Sequence, residues 1–153
     1  MHDIGNSINR INHAHIGAIM AFNILTRLEM DPKDIGVIIA AIGNHDESSA
    51  YPVNAIAASL ILADKSDVRR TRVRNPETHI DNIHDRVNYA VVDSKLEVDK
   101  KNRELVLKLT LDTSITPVID YFEIFLTRMN LCRQAASKLQ ATFKLIINGL
   151  ELI

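Results

Sequence analysis

Two imidazoles and one carboxylate, His13, His45 and Asp64, stand in this sequence where the surrounding periodicity would turn them toward one interior. His13 precedes Gly17 by four residues and Met20 by seven, so the three share one face of a helix. His45 follows Ile42 by three and Ile38 by seven, at the inward edge of a helix end. Asp64 follows Leu60 by four and Ile56 by eight. His2-Asp3 adds a further imidazole and carboxylate. Burying a carboxylate without a partner is costly, and one imidazole does not satisfy two of them. A divalent cation does, because imidazole and carboxylate together suit Mn, Fe, Co, Ni or Zn. Taken singly, each residue reads as a satisfied core or surface group; the convergence of five favours a shared ion.

The elements that must position these groups follow from the apolar spacing. Residues 13–29 carry Gly17, Met20, Ala21, Ile24, Leu25 and Leu28 on one helical stripe. Met30-Asp31-Pro32 ends that helix, with Asp31 as N-cap and Pro32 opening the next. Residues 32–45 turn Ile35, Ile38, Ile39 and Ile42 inward. Residues 52–70 do the same with Val53, Ile56, Ala57, Leu60 and Ile61. Arg74-Asn75-Pro76 marks a break, and residues 79–92 (Ile80, Ile83, Val87, Val91) form a fourth amphipathic helix. Beyond it, Lys95–Asp99 and Glu104–Leu111 alternate apolar with polar around a polar turn, which predicts a β-hairpin. A long helix over 115–139, with Pro117 in its first turn, leads to a strand at Thr142–Ile147. Asn148-Gly149 then turns the chain back. The fold class expected is mainly α: a helical domain over 1–93, followed by a small β-β-α-β lobe over 94–153.

The motifs His2-Asp3-Ile4-Gly5, His13-Ala-His-Ile-Gly17-Ala18, Ala41-Ile-Gly-Asn-His45 and Leu62-Ala-Asp64 agree in order and spacing with the HD superfamily of metal-dependent phosphohydrolases, which this chain resembles over roughly residues 1–74. The resemblance implies an HD-type helical bundle. It also implies one or two divalent metal ions, held by His2, Asp3, His13, His45 and Asp64, with Mg also open among the candidates. Asp3 and His45 would act catalytically, Asp3 binding or bridging the metals. The closest likeness is to the branch with an HxxxGA motif, which includes hydrolases of dinucleoside polyphosphates. The family's first His lies on a helix upstream of the His-Asp pair, where this sequence has only Met1. An apolar face left open on the helices of 13–70 is therefore expected. A start assigned too late, a truncation or a partner chain would account for the gap, the first being the expected reason.

Lys65, Arg69, Arg70, Arg72 and Arg74 follow Asp64 closely, and Lys65, Arg69 and Arg72 share a helical face. Guanidinium groups grip phosphate with paired hydrogen bonds, so Lys65, Arg69, Arg70 and Arg72 are candidate substrate-binding residues. A solvated face neutralised by Glu77 and Asp81 is the competing reading. His15 lies about 200° round the helix from His13 and is not expected in the site. His79 and His84-Asp85 lack the surrounding motif. Asp46-Glu47 either touch a ligand or form a solvated loop pair. Cys132 is most simply a small buried residue.

Composition closes off other classes. A net charge of −1 gives no global attraction to nucleic acid or membrane. Aromatic residues make up 5 % with no Trp, so stacking platforms for nucleic acid are few. The apolar stretches Ile35–Ile42 and Ala55–Ala63 are too short to span a bilayer. The single cysteine excludes an internal disulfide and fits a cytoplasmic setting. The expectation is hydrolysis of a phosphate ester or anhydride of a small phosphorylated substrate, in first place a nucleotide. The rivals are a non-catalytic nucleotide or metal sensor and a dimerising interaction module, in which this chain forms a homodimer.

Overall fold

The computed structural model describes residues 1–73 and 83–153. The Arg74-Asn75-Pro76 break, His79 and Ile80 lie outside the described residues. Among the described residues, five α-helices and a four-stranded sheet follow one another: α1 (His13–Arg27), α2 (Pro32–Gly43), α3 (Ala55–Ser66), α4 (Ile83–Ala90), β1 (Val91–Asp99), β2 (Glu104–Leu111), α5 (Val118–Lys138), β3 (Thr142–Ile147) and β4 (Leu150–Glu151). Short 3-10 turns occupy Ile4–Ser7 and Arg70–Arg72. No described helix is long and apolar enough to cross a membrane.

Helix ends fall where the side chains can satisfy them. Asp31 Oδ1 accepts from Lys33 N at 2.8 Å with Pro32 at the first position of α2, as the sequence predicts. Asn54 does the same for α3 through Ala57 N at 2.8 Å. α3 therefore starts at residue 55 rather than 52. The expected fourth helix is described from Ile83 and gives way at Val91 to β1, so Val91 is the first residue of a strand and not the last turn of a helix.

The sheet runs β1-β2-β3-β4. β1 and β2 form the antiparallel hairpin that the alternating pattern predicts; β2 and β3 are parallel, so α5 must carry the chain back across the sheet. Leu105, Leu107, Leu109 and Leu111 of β2 and Phe143, Leu145 and Ile147 of β3 are buried at every second position. Leu96, Leu107 and Leu145 pair directly across three strands. α5 covers that face with Tyr121, Phe125, Met129, Cys132 and Ala136, at spacings of four and three. Burial pushes the Cys132 thiol up to about 12, which keeps it protonated and inert. Asn148, with φ 51°, finishes β3 by imitating a strand: its side chain accepts from Leu111 N at 2.8 Å and donates to Leu111 O at 3.0 Å.

The same core contains Ala58, Ile61, Leu62 and Val68, so residues on both sides of position 93 share it. A second, smaller core joins α1 to α2 through Ala21, Leu25, Ile35 and Ile42. Three residues expected inside lie outside: Leu28 is 68 % exposed, Ile56 52 % and Val53 38 %. Leu28 sits beyond the last turn of α1, and α3 turns Ala57, Ala58, Ile61, Leu62 and Lys65 inward instead. Ile19, Phe22 and Val37 are also exposed on α1 and α2.

His2 and Asp3 are fixed by a close backbone approach. Gly5 is buried in the 3-10 turn, and a Cβ there would lie 2.0 Å from the carbonyl oxygen of His13 and 2.8 Å from Gly17 N. A Cβ on Gly17 would meet His2 O at 3.0 Å. Two glycines thus let the N-terminal segment lie directly on the first turns of α1. We expect Gly5→Ala to cost about 1–3 kcal/mol through overpacking. Urea denaturation would read this as a lower midpoint at unchanged slope, whereas His15→Ala on the exposed side of α1 should stay within about 0.5 kcal/mol. Equal midpoints for the two variants would refute the close-approach account.

Candidate metal centre

His13 opens α1, and His45 lies two residues beyond the end of α2. Both are buried. Each is held from behind by a backbone carbonyl: His13 Nδ1 lies 3.0 Å from Arg10 O, and His45 Nδ1 lies 2.6 Å from Ile42 O. A carbonyl oxygen only accepts, so the ring proton belongs on Nδ1 and the neutral ring presents a lone pair at Nε2. Both Nε2 atoms face the same oxygen, Asp3 Oδ1, at 3.3 Å from His13 and 3.5 Å from His45. Acceptor therefore opposes acceptor, with no proton to place between them unless a ring becomes charged.

The other carboxylate oxygen of Asp3 faces His2, whose Nε2 lies 3.6 Å from Asp3 Oδ2 and 3.6 Å from Asp64 Oδ1. Burial lowers the pKa of His2 against the opposing pull of Asp3 and Asp64, which favours the neutral ring that a metal requires. His45 stands between the other two imidazoles, edge to face, with ring centroids 5.0 Å from His2 and 5.1 Å from His13. Two overlapping ligand groups result: Asp3, His13 and His45, and His2, His45 and Asp64, each with its donor atoms within 4.8 Å of one another. Ligands about 2.1 Å from a cation stand about 3.0–3.4 Å apart in octahedral or tetrahedral geometry. The His–Asp separations of 3.3–3.6 Å fit, with slight contraction. The buried His/Asp groups can hold a metal ion.

All five residues expected as ligands meet here. Asp64 reaches the cluster from the rim of α3 and not from its apolar stripe, since Ile56, one of its supposed stripe partners, is exposed. Desolvation raises the Asp64 pKa, but the hydrogen bond and charge of buried Lys65 outweigh it and hold the carboxyl below its usual range. Lys65 Nζ lies 2.5 Å from Asp64 Oδ2.

In front of the cluster lies a cavity of about 210 Å³. Lys65 and Arg72 line it, whereas Arg69 and Arg70 are not among its lining residues. Arg69 pairs with Asp67 at 2.7 Å. Arg70 turns the other way, its Nε donating to Tyr89 O at 2.8 Å and its guanidinium lying 4.5 Å from the centre of the Tyr89 ring. Asp46 also lines the cavity, 4.0 Å from His13 Nε2, with Ser48 Oγ donating to it. His15 and His84 are exposed and stand outside the cluster. Arg10, Asn88 and Arg128 reach the cavity unannounced by the sequence. Arg10 adjoins the motifs in sequence, but Asn88 and Arg128 arrive only by tertiary packing.

Comparisons with protein-family models, curated proteins and solved structures found no match to this chain. What the cluster can bind must be argued from its own donors. Adding Mn²⁺ or Zn²⁺ at about 100 times its Kd should stabilise the chain by about 2.7 kcal/mol, raising Tm by about 5–10 °C. His45→Ala should abolish that shift, and His15→Ala should retain it. A metal-induced shift that survives His45→Ala would place the ion elsewhere.

Proposed function

We propose that this chain is an HD-type metal-dependent phosphohydrolase that cleaves a phosphate ester or anhydride, with nucleotides the first substrates to assay. The observation that carries the reading is the pair of Nε2 lone pairs on His13 and His45, both turned by backbone carbonyls onto the Asp3 carboxylate. The order of the His-Asp, HxxxGA and later Asp motifs, and the Gly5–Gly17 approach that brings the first onto the second, support the family assignment. A divalent cation in such a site lowers the pKa of water toward neutrality and polarises a phosphoryl oxygen.

The chain's own groups would do the rest. His2, Asp3, His13, His45 and Asp64 hold the charge in place, and the carbonyls behind His13 and His45 fix the ring orientations. Lys65 keeps Asp64 ionised. Asp46, beside His13 and open to the cavity, stands where it can accept a proton from water. Arg72 on the cavity wall can balance phosphate charge. The protein should release phosphate in the presence of Mn²⁺ and stop on chelation. His45→Ala should reduce kcat by more than the ~10–100-fold expected from loss of an outer-shell partner. Undiminished release after complete metal removal would end the hydrolase reading.

A second reading has its own observation. Ala18, Ile19 and Phe22 of α1 face Gly36, Ile39 and Ala40 of α2 across an apolar groove. Exposed apolar surface of that kind marks interaction sites, so the chain can instead be a dimerising module on the same scaffold. Light scattering separates the two: a stable dimer that Phe22→Asp splits, without metal-dependent phosphate release, favours the module.

A further inference from the structure

One wall of the cavity comes from a part of the chain that the metal cluster does not use. Arg128 belongs to the middle of α5, and its side chain is 23 % exposed. Its Nε donates to Glu47 Oε2 at 3.1 Å, and its guanidinium carbon lies 4.3 Å from the centre of the buried Phe125 ring. The carboxylate fixes the direction of the fork and the ring fixes its plane. Among the described residues Glu47 is the one side chain with which Arg128 forms a hydrogen bond or ion pair, and Arg128 also lines the cavity. A guanidinium tied to one carboxylate, stacked on one ring and lining a cavity is preorganised for an oxyanion there.

Charge places the oxyanion in this cavity. Four cations line it (Arg10, Lys65, Arg72, Arg128) against four carboxylates (Asp3, Asp46, Asp64, Asp67), a balance of zero before any metal is bound. Lys65 is committed to Asp64 and Arg72 faces Asp67 at 3.5 Å. A divalent cation on the His/Asp cluster tips the balance positive and makes the cavity a seat for an anion. The remaining lining residues are His13, His45 and Asn88, so no aliphatic side chain offers an acyl chain a surface. At about 210 Å³ the space is also below the ~300–1,000 Å³ of drug-sized ligand pockets, so charge is what it can recognise.

We propose that Arg128, aimed by Glu47 and Phe125, grips the phosphate of the substrate, so that α5 supplies part of the active site. The proposal rests on the hydrolase reading. A merely structural Glu47–Arg128 tie would affect folding but not the response to phosphate.

The test uses the full-length, Mn²⁺-loaded protein and two readouts: steady-state phosphate release, and calorimetric titration with inorganic phosphate below Tm. Arg128→Gln should raise KM about ten- to a hundredfold with a smaller change in kcat. Arg128→Lys should recover part of the loss, because it keeps the charge without the fork. Glu47→Gln should raise KM less than Arg128→Gln, and Arg133→Gln on the exposed side of α5 should leave it unchanged. An unchanged KM in Arg128→Gln overturns the proposal. If Arg128→Gln does not fold, Arg128→Lys and Glu47→Gln decide, and wild-type KM in both overturns it. Should the wild type turn over no phosphate compound at all, the hydrolase reading fails and the titration still judges the grip. Phosphate binding about tenfold weaker in Arg128→Gln upholds it, and equal binding refutes it.

Discussion

The carbonyl oxygens of Arg10 and Ile42 accept from Nδ1 of His13 and His45, which directs both Nε2 lone pairs at the Asp3 carboxylate. Neither the tethers nor the approach would be remarkable alone. Together they bring two buried acceptors onto one carboxylate oxygen of the half-exposed Asp3, and a positive charge there would satisfy all three. An imidazolium would supply one charge to one of the contacts. A metal ion would supply it to all of them, and the geometry around His2 and Asp64 repeats the arrangement one ring further along. Nearly every other feature of the site serves to hold this convergence in place.

That holding is done chiefly by small residues. A carboxylate from the N-terminal segment reaches His13 because the segment lies on α1 at backbone contact distance, which Gly5 and Gly17 alone permit. Ile42 then ties the third wall: its side chain joins the α1–α2 core while its carbonyl holds His45. Packing and ligand orientation are therefore coupled, and the ring orientation is set by the same residue that stabilises the helix pair.

The sequence made local chemistry legible and long-range pairing obscure. Asp31-Pro32, the hairpin around residues 99–103 and Asn148-Gly149 announced themselves because caps and turns are satisfied by groups a few residues away. His13 and His45 are legible from helical spacing and His2-Asp3 from the dipeptide motif, whereas the spacing of Asp64 ties it to Ile56, which faces outward. Arg70 shows the limit. Its composition and position suggested a phosphate ligand, but its partners, Tyr89 and Asp112, lie on elements that sequence spacing cannot bring to it. Arg128 is the converse: only the folding of α5 against the loop after α2 reveals that it meets Glu47. Nor does spacing show that α3, before residue 93, shares its core with the sheet beyond it.

Asp64 shows how the surrounding fold restricts a ligand as well as supplying it. Its Oδ2 is held by Lys65, a lysine buried to 8 % exposure, and its Oδ1 faces His2. A buried ammonium without its carboxylate would be expensive, so the pair is not readily broken to free the second oxygen. Asp64 thus has one oxygen to offer an ion, whereas Asp3 offers one oxygen to His13 and His45 and the other to His2. The two carboxylates are alike in type and unlike in what they can do. Asp3 faces imidazoles of both groups, which His45 joins; Asp64, with its far oxygen engaged, faces only His2. The asymmetry comes from a single neighbouring lysine that α3 turns inward along with Ala58, Ile61 and Leu62.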